Sequence, residues 1–190
     1  MRVKDTQKVN RIYQAATAVV NREGFQGSSM SKIATEADVS AATIYLYFQN
    51  KEDMLNKLYI EMKSRMGNSY FQEGMDLSPS KATFRSIWIN HYQYIMDNLE
   101  EYIFLENFSN CPLVQQIDKK YNLDYCPTFE SLFEQSKVSK LILPIDNDII
   151  YSLLFAPISS LVKKTKMAGK TISTNDLIQI FESSWKSVCT

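Results

Sequence analysis

The stretch from Ser28 to Phe48 constrains the fold more than any other part of the chain, because it holds two short apolar stripes separated by a tight break. Ser28 and Ser29 are good N-cap residues, since a serine hydroxyl accepts a hydrogen bond from an exposed amide of the following turn, so a helix starts near Met30. Met30, Ile33, Ala34 and Ala37 make one face of it over about two turns. Asp38-Val39-Ser40 breaks that helix, with Val39 as an apolar plug, and Ser40 caps another from Ala41 to Phe48. In this last helix Ile44 and Phe48 point to the core, which leaves Thr43, Tyr45, Leu46 and Tyr47 facing mainly outward.

A helix this short that turns two tyrosines and a leucine to solvent is explained if a partner occupies the solvent side. Two short helices joined by a tight turn form the helix-turn-helix layout, in which the second helix reads base edges in the major groove. Spacing alone also admits an ordinary three-helix bundle with a few exposed aromatics. A preceding helix spans about Asp5 to Glu23: Val9, Ile12, Ala16, Val19 and Val20 share a face, and Gly24 ends it, a glycine being able to take positive φ there. Phe25 is placed to fold back onto that stripe.

Net charge is zero, with 21 basic and 21 acidic residues, which taken alone argues against a nucleic-acid partner. The distribution is uneven: residues 1–66 carry ten basic and seven acidic side chains, so the basic excess lies in the N-terminal part of the chain. Hydrophobic residues make up 45% of 190, enough for a folded core and incompatible with a disordered chain. Cys111, Cys126 and Cys189 are odd in number and without CxxC spacing, and His91 is the only histidine, so neither a disulfide scaffold nor a metal site is expected. No stretch approaches about 18 uninterrupted apolar residues, and MRVKDTQKVNRIY lacks an apolar signal core; a cytoplasmic protein with no membrane association follows.

The local sequence GFQGSSMSKIATEADVSAATIYLYFQNKEDML resembles the N-terminal signature of the tetracycline-repressor (TetR) family of bacterial regulators. Gly24, Phe25, Ser29, Ile33, Ala34, Ala37, Val39, Ser40, Thr43, Ile44, Tyr45, Tyr47, Phe48, Lys51 and Glu52 carry the resemblance, in register over both helices and the helix ends that flank them. The resemblance implies that Thr43, Tyr47 and Lys51 contact phosphates, that Ser29 caps a helix and can also touch phosphate, and that Tyr45 enters the groove. Hydroxyls and an ammonium on an exposed edge suit that task, although such contacts position without choosing sequence. Sequence choice then falls to Ser31, Lys32, Ala41, Ala42, Tyr45 and Leu46. The family often has a basic residue near position 31 and Lys-Gly at 41 and 42, so this chain departs from the pattern. With Lys32 the one cation nearby, thymine methyl contacts and an A·T-rich operator are expected over arginine–guanine pairs.

A fourth helix runs from Lys51 through Met54, Leu55, Leu58, Tyr59 and Met62 to about Tyr70. Ser78 as N-cap and Pro79 at the first helical position announce the next, from Ser80 to about Asn98. Beyond it the helices are rich in aromatics. Trp88, His91, Tyr92, Ile95, Phe104, Phe108, Tyr125, Phe129, Phe133, Tyr151 and Phe155 are candidates for an effector pocket, because aromatic walls with a few polar groups suit a small molecule. Each one singly is equally at home in a core, and a lone histidine is more often structural than ligand-binding. Helices over about Asp146 to Met167, bent at Pro157, and Thr174 to Val188 close the chain. Leu154, Ile158 and Leu161 on the first, with Leu177, Phe181, Trp185 and Val188 on the second, are expected to form a dimer interface, as the resemblance implies; an intramolecular core is the alternative.

The fold expected is all-α with about nine helices: a three-helix helix-turn-helix DNA-binding domain over 1–50, a linking helix over 51–74, and a helical effector-binding and dimerisation domain over 75–190. The resemblance implies a ligand-responsive transcriptional regulator, a repressor released from its operator by a small hydrophobic or aromatic effector. Its partners are palindromic half-sites of double-stranded DNA, the effector and a second copy of the chain, with no cofactor. An enzyme is disfavoured by the absence of GxGxxG and P-loop motifs and by the lack of a nucleophile paired with a base.

Overall fold

The computed structural model describes residues 6–109 and 127–190. Tyr125, one of the residues expected in the pocket, therefore lies outside the described residues, as do Cys111 and Cys126. Among the described residues there are nine helices: α1 (Thr6–Gly27), α2 (Met30–Glu36), α3 (Ala41–Tyr45), α4 (Lys51–Tyr70), α5 (Lys81–Asp97), α6 (Leu99–Ser109), α7 (Pro127–Val138), α8 (Asn147–Met167) and α9 (Thr174–Lys186). Extended pairing among them is limited to one bridge, Ile142 with Cys189, where the Leu143 amide donates to the Val188 carbonyl at 2.8 Å. The chain divides into two compact units, one drawn from Met1–Arg65 and Glu100–Asp124, the other from Met66–Leu99 and Tyr125–Thr190.

The first unit is organised by the α1 stripe. Ile12, Ala16 and Val19 are fully buried and Val20 nearly so, and the α1 stripe packs on α2; Ile33 and Ala34 of α2, Ile44 of α3 and Met54, Leu55 and Leu58 of α4 are buried in the same unit. Burying each such aliphatic side chain contributes roughly 1.5–3 kcal/mol, which holds helices too short to persist alone. The α1 helix is interrupted at Gly24, whose φ of 74° and ψ of 171° a β-carbon would strain, and one further turn follows to Gly27. The Phe25 ring packs 5.8 Å from that of Phe108 on α6.

In the second unit α5 and α9 both pack on α8. Trp88 donates its indole N–H to the Leu154 carbonyl at 2.9 Å and meets Phe181 edge-on at 5.6 Å, while Phe84 lies 5.2 Å from Trp185. The cap of α5 is Ser80, accepting from the Thr83 amide at 3.1 Å, and not Ser78. Ser78 is occupied instead by the Asp76 carboxylate, to which both its amide and its hydroxyl donate at 2.9 Å, so Pro79 precedes the helix. Asp146 and Ser173 cap α8 and α9. Pro157 lies inside α8, and the helix runs through it.

Candidate nucleic-acid interface

Each part of the 29–53 segment is fixed by a local polar contact. The Ser29 hydroxyl accepts from the Lys32 amide at 3.3 Å, and that of Ser40 from the Thr43 amide at 3.2 Å, caps worth about 1 kcal/mol each. Between them Asp38 takes a φ of 53°, and the Val39 amide reaches the Ala34 carbonyl at 3.0 Å, which closes the turn. Regular helix in α3 stops at Tyr45, with Leu46 as C-cap, and does not continue to Phe48 as expected. Phe48 must return to the core, where its ring lies 5.6 Å from Tyr13, so the chain leaves helical geometry with the Tyr47 and Phe48 amides both reaching the Ile44 carbonyl. Asn50 then caps α4, the Asp53 amide donating to Asn50 Oδ1 at 2.8 Å, while the Asp53 carboxylate reaches back to accept from the Gln49 amide at 2.9 Å.

Exposure along this segment is concentrated at the end of α3. Tyr45 is 55% exposed and Leu46 73%, while Ile44 beneath them is fully buried. Ser31, Lys32 and Ala42 are exposed; Ser29, Ala41, Thr43, Tyr47 and Lys51 are half-buried. Three polar groups on this face are committed to neighbours. The Thr43 hydroxyl lies 2.9 Å from that of Ser40. Lys32 Nζ pairs with the Glu23 carboxylate and donates to the Gly27 carbonyl at 2.9 Å. Lys51 Nζ donates to the carbonyls of Phe25 and Ser28 at 2.9 and 3.0 Å and sits 4.4 Å above the Phe25 ring. That clamp fastens the end of α1 to the start of α4 and leaves one ammonium proton for a phosphate. Sequence reasoning missed it because carbonyls carry no side-chain signature.

The residues expected in an effector pocket fall into two groups. Phe104 and Phe108 are buried in the first unit, where Phe108 lies 5.4 Å from Tyr59. In the second unit Phe129 meets Phe133, Tyr151 and Phe155 at 5.6 to 5.7 Å, and Tyr70 and Phe71 join them at 5.8 and 4.8 Å. Trp88 and Ile95 are buried in the same unit, and Tyr92 is half-buried. His91 is fully buried, with Nδ1 2.7 Å from the Tyr70 hydroxyl and Nε2 2.7 Å from Ser159 Oγ. Ser159 gives its own proton to the Phe155 carbonyl at 2.9 Å, so it accepts from His91 Nε2–H, and Nδ1 accepts from Tyr70. Burial pushes the imidazolium down to about 3, which keeps the ring neutral at any physiological pH.

Of the residues expected at a dimer interface, Leu154, Ile158, Phe181, Trp185 and Val188 are buried within the second unit of the chain itself, where α5 packs on α8. Leu161 and Leu177 are half-buried. The outward stripe is one residue out of phase: Ile149, Leu153 and Pro157 on α8 and Ile178 on α9 are exposed. Leu153, Pro157, Leu161, Ile172 and Ile180 line a groove of about 640 Å³ along α8 and α9.

Comparison with known proteins bears on both units. Residues 12–58 match the family described as bacterial regulatory proteins of the tetR family, and residues 79–189 match a tetracyclin repressor-like C-terminal domain. An uncharacterised HTH-type transcriptional regulator of Haemophilus influenzae is 26% identical over 188 residues, 99% of each chain. A TetR family transcription regulator from Marinobacter aquaeolei superposes with a TM-score of 0.80 at 24% identity, over 99% of this chain and 98% of that one. The transcriptional regulator FadR from Bacillus subtilis, in complex with stearoyl-CoA, superposes with a TM-score of 0.64 at 25% identity, over 93% of this chain and 95% of that one.

Proposed function

Because the chain belongs to the TetR family of bacterial regulators, we propose that it is a repressor, a homodimer that holds a palindromic operator and releases it when an apolar effector binds. The family makes it a DNA-binding transcriptional regulator and not an enzyme. The observation that carries the proposal is α3 itself, a capped helix of five residues anchored through buried Ile44 and Phe48 that turns Tyr45 and Leu46 to solvent. Residues 1–50 act as the reader, 51–74 as the link and 75–190 as the effector-binding and dimerisation part, working in the cytoplasm. One such helix spans too few base pairs for specificity, whereas two held about 34–36 Å apart reach successive major grooves. The outward stripe of α8 and α9 suits the pairing, since a two-fold interface buries the same apolar patch on both copies.

The effector we infer is a compound with an acyl chain. Support comes from the likeness to the FadR–stearoyl-CoA complex and from the ring cluster around Phe129, which offers an apolar interior. His91, neutral and with both nitrogens bonded, supplies no charge for an ionic headgroup. Coupling runs through α4, which begins in the first unit and ends in the second. A difference of about 1–3 kcal/mol in effector affinity between the two states suffices to loosen the operator. A gel-shift titration on fragments of the source genome tests this: one dimer per site, dissociated by a long-chain acyl-CoA, is expected. Binding of DNA that no acyl compound weakens would refute the effector assignment, and failure to retain any fragment specifically would refute the repressor.

A further inference from the structure

The reading face lacks what most surfaces use to meet a polyanion. From Gly24 to Asn50 the chain has a single cation, Lys32, against two acids, Glu36 and Asp38. Lys32 is engaged by Glu23 and by the Gly27 carbonyl, and Arg22, the arginine nearest to the segment, faces Glu36 at 3.0 Å. The exposed surface of α3 is instead apolar: Leu46 at 73%, Tyr45 at 55%, and the methyl group of Ala42, with Ala41 beside it small enough to let the backbone approach closely.

Resting on the DNA-binding reading, we propose that this helix selects its operator through thymine methyl groups, with Leu46, the Tyr45 ring and Ala42 packed on the C5-methyls of a run of A·T pairs and no arginine–guanine pair in the half-site. In the major groove the thymine methyl is the apolar feature, whereas every G·C pair offers only polar edges there: the guanine N7 and O6 acceptors and the cytosine N4 donor. A leucine pressed on a G·C edge strips water from those groups and returns no hydrogen bond; pressed on thymine it buries two apolar surfaces. Each methyl so covered is worth about a fourfold change in affinity, by the usual value for one buried carbon. A face with so few available cations also neutralises few phosphates through the reading helix, so specificity resides in methyl contacts that salt barely touches.

The test begins with selection of binding sites from a random-sequence library by the full-length protein. The best site is then resynthesised with deoxyuridine in place of thymidine, one position at a time, which removes the methyl and leaves the base pairing intact. The expected result is a half-site core dominated by A·T, with affinity falling about fourfold at each contacted thymine. Leu46→Ala, at an exposed position that the fold does not need, should become indifferent to one of those methyls. A G·C-dominated core, or uracil sites bound as tightly as thymine sites, would overturn the inference while leaving DNA binding intact. Selection that enriches no sequence at all would overturn the DNA-binding reading along with it.

Discussion

Acid should weaken the second unit through one side chain. His91 ionises near 6.5 in an unfolded chain, and burial in the native one holds its imidazolium down to about 3. Above pH 6.5 the ring is neutral in both states and contributes no pH dependence. As pH falls below 6.5 the unfolded chain binds a proton that the native chain refuses until about pH 3, so stability is lost progressively on acidification. The slope is about 1.4 kcal/mol per pH unit, and from pH 8 to pH 5 the loss is about 2 kcal/mol. Equilibrium urea denaturation at half-unit steps over that range, followed by tryptophan fluorescence, reads it out; both Trp88 and Trp185 lie in the affected unit. Carboxylates titrating at the lower end are subtracted with His91→Gln, which keeps a donor for Ser159 and does not ionise. The wild type should lose about 2 kcal/mol more than the variant between pH 8 and pH 5. Parallel profiles would refute the buried, neutral imidazole and with it the Tyr70–His91–Ser159 chain that ties the end of α4 to α5 and α8.

Lys51→Met should destabilise the first unit by about 1–2 kcal/mol, because the carbonyls of Phe25 and Ser28 lose a charged donor, and urea denaturation of the variant measures this. The same change should weaken operator binding more than loss of a single phosphate contact would, which a filter-binding titration compares across salt concentrations. Ser40→Ala removes the α3 cap and should cost about 1 kcal/mol locally, seen as faster amide exchange over residues 41–45. Leu153→Glu, on the exposed stripe of α8, should give a folded monomer by analytical ultracentrifugation that no longer holds a palindromic operator; a dimer of unchanged affinity would place the interface elsewhere.

Legibility in the sequence followed the reach of the forces involved. Helix ends were readable wherever a serine or aspartate capped within three residues, as Ser29, Ser40, Asp146 and Ser173 do. At Ser78 and Ser80 two candidate caps competed, and the neighbouring Asp76 decided between them, a contact that spacing does not encode. The exposed face of α3 was readable because Ile44 and Phe48 fix its rotation. Because α8 and α9 have apolar residues on two sides, periodicity identifies a stripe without telling an inner face from an outer one; the packing of α5 against α8 settles which is inside. Lys51 and Lys32 were legible as cations but not as bound cations, since their partners are carbonyls and a carboxylate brought near by the fold.

Hydrogen–deuterium exchange of the full chain, free and saturated with its selected operator, tests most directly whether α3 and its flanking turns meet DNA. Amides of so short a helix exchange quickly when free, so occupation of a groove should slow them strongly. Slowed exchange concentrated over residues 29–36 and 40–47 is the result predicted. Protection that leaves those residues unchanged and appears on α8 or α9 alone would contradict the assignment of the reading face.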